Sequence, residues 1–321
     1  MRGGWSEKGV EQVLWVAQAV SSYREAEEAL ERLAGLSVPR STIHRLVGEY
    51  GSLLAEGRRE EAERLWASGV RGEEIAAPRE GQKSEIGISL DGMMVWVEDG
   101  WHEVKVASCF EFGPGKEGEV EAKQIGYWAG YGEVEEFRRT VWGYAYHRGL
   151  GLDGKAIVLG DGALWIDGFA ETYCPQRVRI VDWYHAVEHL WGLGREALGE
   201  EASEWVEEVK ERLWHGEIEE VVHRCETLLA GRSGWGEGVA RTADYFRERA
   251  KQMAYPAFRA AGYPIGSGTV ESACKGIGWR CKNRGQRWKR KGLIAMLALR
   301  SAGMGGKREW TWACEQIRQA A

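Results

Sequence analysis

The feature that most constrains this chain is the order of apolar patterns between residues 86 and 181, where strand-like segments come first and then alternate with helices. Ile86 to Val97 and Glu103 to Phe112 are rich in β-formers and are separated by Asp99-Gly100, a hairpin signal. Ala122 to Ala129 reads as a third strand. Val134 to His147 follows a helical period, with Phe137, Val141, Tyr144 and Ala145 on one face. Ala156 to Leu159 is a short buried strand, a helix runs on to Tyr173, and Val178 to Val181 makes a fifth strand. A three-strand meander followed by alternating helix and strand predicts an α/β fold with a mixed sheet.

Helices flank this region. Lys8 to Ala19 carries Val10, Val13, Leu14 and Ala17 on one stripe, and Tyr23 to Ala34 and Pro39 to Tyr50 follow. Ser22 and Glu25 form a capping box, Gly35 closes the second helix, and Pro39 suits a first helical position. The short turn Gly35 to Val38 gives the shape of a helix-turn-helix unit, whose second helix would present Arg40, Ser41, Thr42, His44 and Arg45 to DNA and turn Ile43, Leu46 and Val47 to the core. A plain three-helix scaffold is the alternative. A further helix, Leu53 to Trp66, leads to a polar linker, Ala76 to Ser84. From Trp183 to about Tyr255 the pattern is helical and acidic, with Glu200, Glu201, Glu204, Glu207, Glu208 and Glu211 on solvent faces.

The 321 residues allow two domains, or one large domain with an insertion. No apolar run approaches a membrane span and the start lacks a signal-peptide core, so a soluble, cytoplasmic protein is expected. Six scattered cysteines, none in a Cys-x-x-Cys pair, point to reduced thiols rather than a zinc site or a disulfide framework. The net charge of −6 argues against a nucleic-acid partner until its distribution is considered. Between Glu271 and Glu309 there is no acid, yet Lys275, Arg280, Lys282, Arg284, Arg287, Lys289, Arg290, Lys291, Arg300, Lys307 and Arg308 lie there with Trp279 and Trp288. Such an island suits phosphate neutralisation and stacking; a solvated helix face, the bland alternative, usually mixes signs.

Three acids stand out. Asp91 lies among apolar neighbours in a strand, where an ionised carboxylate needs a partner such as a metal ion; Asp91-Gly92 is equally a hairpin turn. Asp161 ends a strand and precedes Gly162, placing it at a carboxyl sheet edge, although a helix N-cap explains it too. Glu271 opens a helix after Gly266-Ser267-Gly268, where the helix dipole by itself favours an acid. Asp182 and His185 start the helix after the fifth strand, as site residues or as an N-cap and a packed ring. Three hard oxygen ligands suit Mg²⁺ or Mn²⁺ rather than zinc.

In this order the landmarks resemble the DDE transposases of bacterial insertion sequences, especially the Kra group, related to Mutator-like transposases. The resemblance runs from about Ile86 to Arg300: Asp91 in Ser-Leu-Asp-Gly, Asp161 in Leu-Gly-Asp-Gly-Ala, Asp182 to His185 as an Asp-x-x-His motif, and Glu271 in Gly-Ser-Gly-Thr-Val-Glu-Ser after a helical insertion. It implies an RNase H-like core over 79–185 and 256–321, an all-helical insertion over 186–255, and a helix-turn-helix region over 1–78. It implies catalysis by Asp91, Asp161, Glu271, Asp182 and His185, with metal on the first three. DNA contacts are expected from Lys275, Arg280, Lys282, Arg284, Arg287, Lys289 and Arg290, and from Arg40, Thr42 and Arg45. The implied partners are the element's terminal inverted repeats and target DNA, bound by a homodimer or larger assembly and by no membrane. A DNA-binding regulator without cutting activity and an RNase H-like nuclease are the alternatives.

Overall fold

The computed structural model describes residues 5–69, 85–98, 100–116, 119–150, 154–231 and 233–320. The expected linker at 76–84 and Asp99 of the hairpin signal lie outside them. Fourteen α-helices and five strands follow one another among the described residues. The strands form one mixed sheet in the order β3-β2-β1-β4-β5, so the protein is of the mixed α/β kind. The chain divides into two compact units: residues 1–111, 124–154 and 268–321, and residues 112–123 and 155–267.

The first unit begins with α1 (Glu7–Ala19), α2 (Tyr23–Ala34) and α3 (Arg40–Gly69). Val10, Val13, Leu14 and Ala17 are buried, as their spacing required. The Ser22 hydroxyl accepts from Glu25 N at 3.2 Å, while the Glu25 carboxylate reaches back to Ser21 N at 3.0 Å, so the capping box closes one residue early. Gly35, at φ 64°, takes the left-handed conformation that ends α2 at little cost.

The two expected helices at 39–50 and 53–66 are one helix, α3. Gly51 looks like a stop in the sequence, but a Cβ there would lie 2.3 Å from the Ala295 carbonyl oxygen of α13 (Arg290–Met304). The glycine permits close helix packing instead of ending a helix. Gly51→Ala should therefore destabilise the protein by roughly 1–3 kcal/mol through overpacking, despite alanine's better helix propensity, as read by the urea midpoint.

β1 (Glu85–Val97) and β2 (Gly100–Pro114) pair antiparallel with Asp91 opposite Val106, Gly92 opposite Lys105, and Trp96 opposite Trp101. The turn alternative for Asp91-Gly92 thus fails, because both residues lie inside a continuous ladder. β3 (Val120–Gly130) and α4 (Val134–Ala145) follow; Phe137, Val141, Tyr144 and Ala145 are buried as expected. After the second unit, the chain returns as α12 (Gly268–Cys281), α13 and α14 (Gly306–Ala320). Between the helices of this unit lies a buried ionic knot: Glu309 sits 2.9 Å from Arg58 and 2.6 Å from Arg148, and Arg58 also covers the Trp312 ring at 3.4 Å.

The second unit holds parallel β4 (Lys155–Gly160) and β5 (Arg177–Val181), linked by α5 (Leu164–Tyr173). It continues through α6 (Trp183–Leu198), α7 (Ala202–Trp214), α8 (Ile218–Ala230), the short α9 (Glu237–Ala240), α10 (Thr242–Glu248) and α11 (Tyr255–Ala260). Leu190, Leu193, Val206, Val209, Leu213, Val221 and Phe246 bury its apolar stripes. The six glutamates expected on solvent faces are all exposed. The strands β4 and β5 cluster with these helices, not apart from them. Among the described residues no helix is long and apolar enough to cross a membrane.

Candidate functional site

In the first unit, α12 packs on β1 and sets the Cys274 thiol against Asp91. Asp91 Oδ1 accepts from the backbone N–H of Gly92 at 2.7 Å, and Oδ2 accepts from Cys274 Sγ at 3.5 Å. Glu271 lies in the first turn of α12, three residues before Cys274 and so on the same face. Burial, and then the charges of Asp91 and Glu271, push the Cys274 thiol well above its usual range, so it stays protonated and donates. The N-terminus of α12 is pinned to β2 by the Thr269 and Ser108 hydroxyls, 2.8 Å apart. Lys275 approaches Glu271 at 3.6 Å, an exposed pair of little energetic weight.

The second unit carries Asp161, Asp182 and His185. Asp161 is not the cap of α5, whose N-cap is Ala163; its Oδ1 accepts from Ala163 N at 2.8 Å and closes the turn after β4. The turn is braced from α10 and the segment after it. Tyr245 donates to the Asp161 carbonyl at 3.0 Å, and Arg249 donates to the Gly162 carbonyl at 2.9 and 3.2 Å. Gly162, at φ 90°, leaves room for the arginine that a side chain would strike.

Asp182 is buried and caps α6: Oδ1 accepts from His185 N at 2.7 Å, and Oδ2 accepts from Ser267 N. Both oxygens hold backbone, which is the capping role that the sequence left open. His185 is partly exposed, 3.5 Å from Glu188.

His189 was passed over in the sequence, although His185 and His189 stand four apart on α6. Its ring stacks on Tyr245 with centroids 3.9 Å apart and meets His185 edge-on at 5.3 Å. Burial, aided by the charges of His185 and Arg249, lowers its pKa from 6.5 to about 4. The fold therefore prefers the neutral ring: this stability is complete above pH 6.5 and is lost as pH falls towards 4. The melting temperature should drop across that window, and His189→Phe should flatten that limb.

The basic island is split by the fold. Arg280, expected to grip DNA, is 0% exposed. Its guanidinium donates to the carbonyls of Ala17 and Ser21 at 3.0 and 3.3 Å and lies 4.8 Å from the Tyr23 ring centroid. It neutralises the carboxyl end of α1 and is removed from the DNA-contacting set. Arg300 likewise donates to the carbonyls of Gly276 and Gln18. Lys275, Lys282, Arg284, Arg287, Lys289, Arg290 and Lys291 are exposed. On α3, Arg40 and Arg45 are exposed but paired with Glu27 at 3.0 Å and Glu49 at 3.2 Å; Thr42 is half-buried, and Ile43, Leu46 and Val47 are buried as expected.

Asp91 and Glu271 offer the hard oxygen donors that Mg²⁺ or Mn²⁺ prefers, so the donor chemistry fits such an ion. As they stand, no three His, Cys, Asp or Glu side chains are grouped to hold a metal among the described residues. No protein-family model and no curated protein matches the sequence. Among solved structures, the chain is similar to the Drosophila P element transposase in its strand transfer complex. That likeness is loose, with 9% identity and a TM-score of 0.32, over 98% of this chain and 82% of that one.

Proposed function

We propose that the chain is a DNA transposase of an insertion sequence, of the DDE type and nearest the Kra group, which cuts at the element's ends and joins the freed 3′-hydroxyl to target DNA. The observation that carries this reading is the contact between Asp91 and Cys274, which brings the helix opened by Glu271 onto the strand of Asp91 from far along the sequence. One carboxylate stands on a central strand and the other opens a helix packed on it, and both are hard oxygen donors of the kind a divalent cation prefers. The reading takes Asp161 as the third acid. A divalent ion bound by these acids supplies activation of an attacking oxygen and stabilisation of a leaving oxygen on a phosphodiester.

This chain's own side chains have distinct tasks in that reading. The Gly92 N–H and the Cys274 thiol orient the Asp91 carboxylate. Tyr245 and Arg249 hold the turn that presents Asp161. His185, partly exposed at the start of α6, takes the part of orienting a phosphate. Lys275, Lys282, Arg284, Arg287, Lys289 and Arg290 neutralise the DNA backbone, and the first turns of α3 read the terminal repeats. The test incubates the purified chain with duplexes of the inverted repeats that flank its gene, with Mg²⁺, with Mn²⁺ or with EDTA. Metal-dependent nicks at the repeat ends, followed by joining of pre-cut 3′ ends to a plasmid, are expected. DNA that is bound yet never cut in either metal would overturn the reading in favour of a regulator, and cutting without joining would favour a nuclease.

A further inference from the structure

The far end of the β1–β2 hairpin carries an aromatic and cationic surface that duplex binding alone does not account for. Trp96 and Trp101 face each other across the hairpin, edge to face with ring centroids 5.6 Å apart, and Trp101 is 54% exposed. An indole so exposed next to a second indole loses apolar stabilisation unless something covers it. The Lys282 ammonium lies 5.7 Å from the Trp101 ring, the Arg287 guanidinium 5.9 Å from the Trp96 ring, and the Arg290 guanidinium 5.2 Å from the Tyr131 ring. Rings and cations thus alternate over one surface.

Some exposed arginines elsewhere are answered by a carboxylate one helical turn away, as in Arg24 with Glu28 and Arg45 with Glu49. Among the described residues, Lys282, Arg284, Arg287, Lys289, Arg290 and Lys291 have no such partner. The surface is also held in place. Trp288 N donates to the Trp96 carbonyl at 3.2 Å and Glu98 N donates to the Trp288 carbonyl at 2.7 Å, so the backbone between α12 and α13 is tied to the end of β1. The Trp288 indole adds a bond to the Cys281 carbonyl at 2.9 Å. Little ordering remains to be done when a ligand arrives.

We propose that this surface binds single-stranded nucleic acid, with a base stacked on Trp101 and the flanking phosphates on Lys282, Arg284 and Arg287. A duplex keeps its bases stacked on each other and offers the indole no π-face, whereas an unpaired strand offers one at every nucleotide. The inference rests on the reading of the chain as a DNA-acting protein and adds to it the form of DNA recognised.

The test uses the full chain in EDTA, with fluorescence anisotropy of a labelled oligothymidine and of a labelled duplex of equal length. Trp101→Ala is expected to weaken oligothymidine binding by roughly 5- to 100-fold and to change duplex binding by less than about twofold, with Trp101→Phe recovering most of the loss. Trp101 is exposed, so its replacement leaves the core intact. Equal affinity of wild type and Trp101→Ala for oligothymidine overturns the platform; if the duplex is still bound and cut once Mg²⁺ is added, the proposed function stands without it. Binding of neither DNA overturns both.

Discussion

Asp91→Asn and Glu271→Gln are each expected to lower Mg²⁺-dependent strand cutting by roughly a thousandfold or more, because losing a metal-bound carboxylate forfeits several kcal/mol of charge stabilisation at about 1.4 kcal/mol per tenfold. Folding should be spared. The asparagine amide keeps one oxygen to accept from Gly92 N while its NH2 can donate to the Cys274 sulfur, and Glu271 is a partly exposed first-turn residue. The measurement is paired: single-turnover cutting, with circular dichroism melting and duplex affinity as controls. Asp161→Asn belongs in the same series. Wild-type cutting by any of the three variants would remove that residue from the active site.

The second large effect is on stability. Glu309→Ala should cost roughly 3–5 kcal/mol, since it leaves the buried guanidinium groups of Arg58 and Arg148 without their shared carboxylate. Arg58 retains Glu61 at 3.2 Å and the Trp312 ring, so Arg148 is the more damaged partner. Replacing all three charges together by Met, Met and Leu should recover much of the loss, because the penalty comes from an uncompensated charge rather than from a missing attraction. Urea unfolding of the single and triple variants decides this, and a single-variant loss under about 1 kcal/mol would mean that the knot is solvated.

Much of the fold was legible because it is written in local periods. The strand around Asp91, the buried faces of α1 and α4, and the Gly35 stop all follow from spacing and caps that neighbours in sequence supply. Glu271 on a first turn was legible for the same reason. Gly51 was misread because local propensity marks glycine as a break, whereas its role is set by Ala295, far along the chain. Arg280 could not have been told apart from the cations around it; what buries it is the carboxyl end of α1 and the Tyr23 ring. Asp182 offered both a site role and a cap, and its two backbone bonds fill the second. The His185 and His189 pair was there to be found, since four-residue spacing puts two rings on one helix face.

The continuity of α3 has a mechanical consequence. A thirty-residue helix is about 45 Å of unbroken rod, and there is no hinge between the turns bearing Arg40 and Arg45 and the turns bearing Gly51 and Arg58. Any load on the outer tip is borne directly by the floor formed with α13, and the tip cannot swivel by itself to meet a curved or misaligned ligand. Adjustment has to come from the ligand bending.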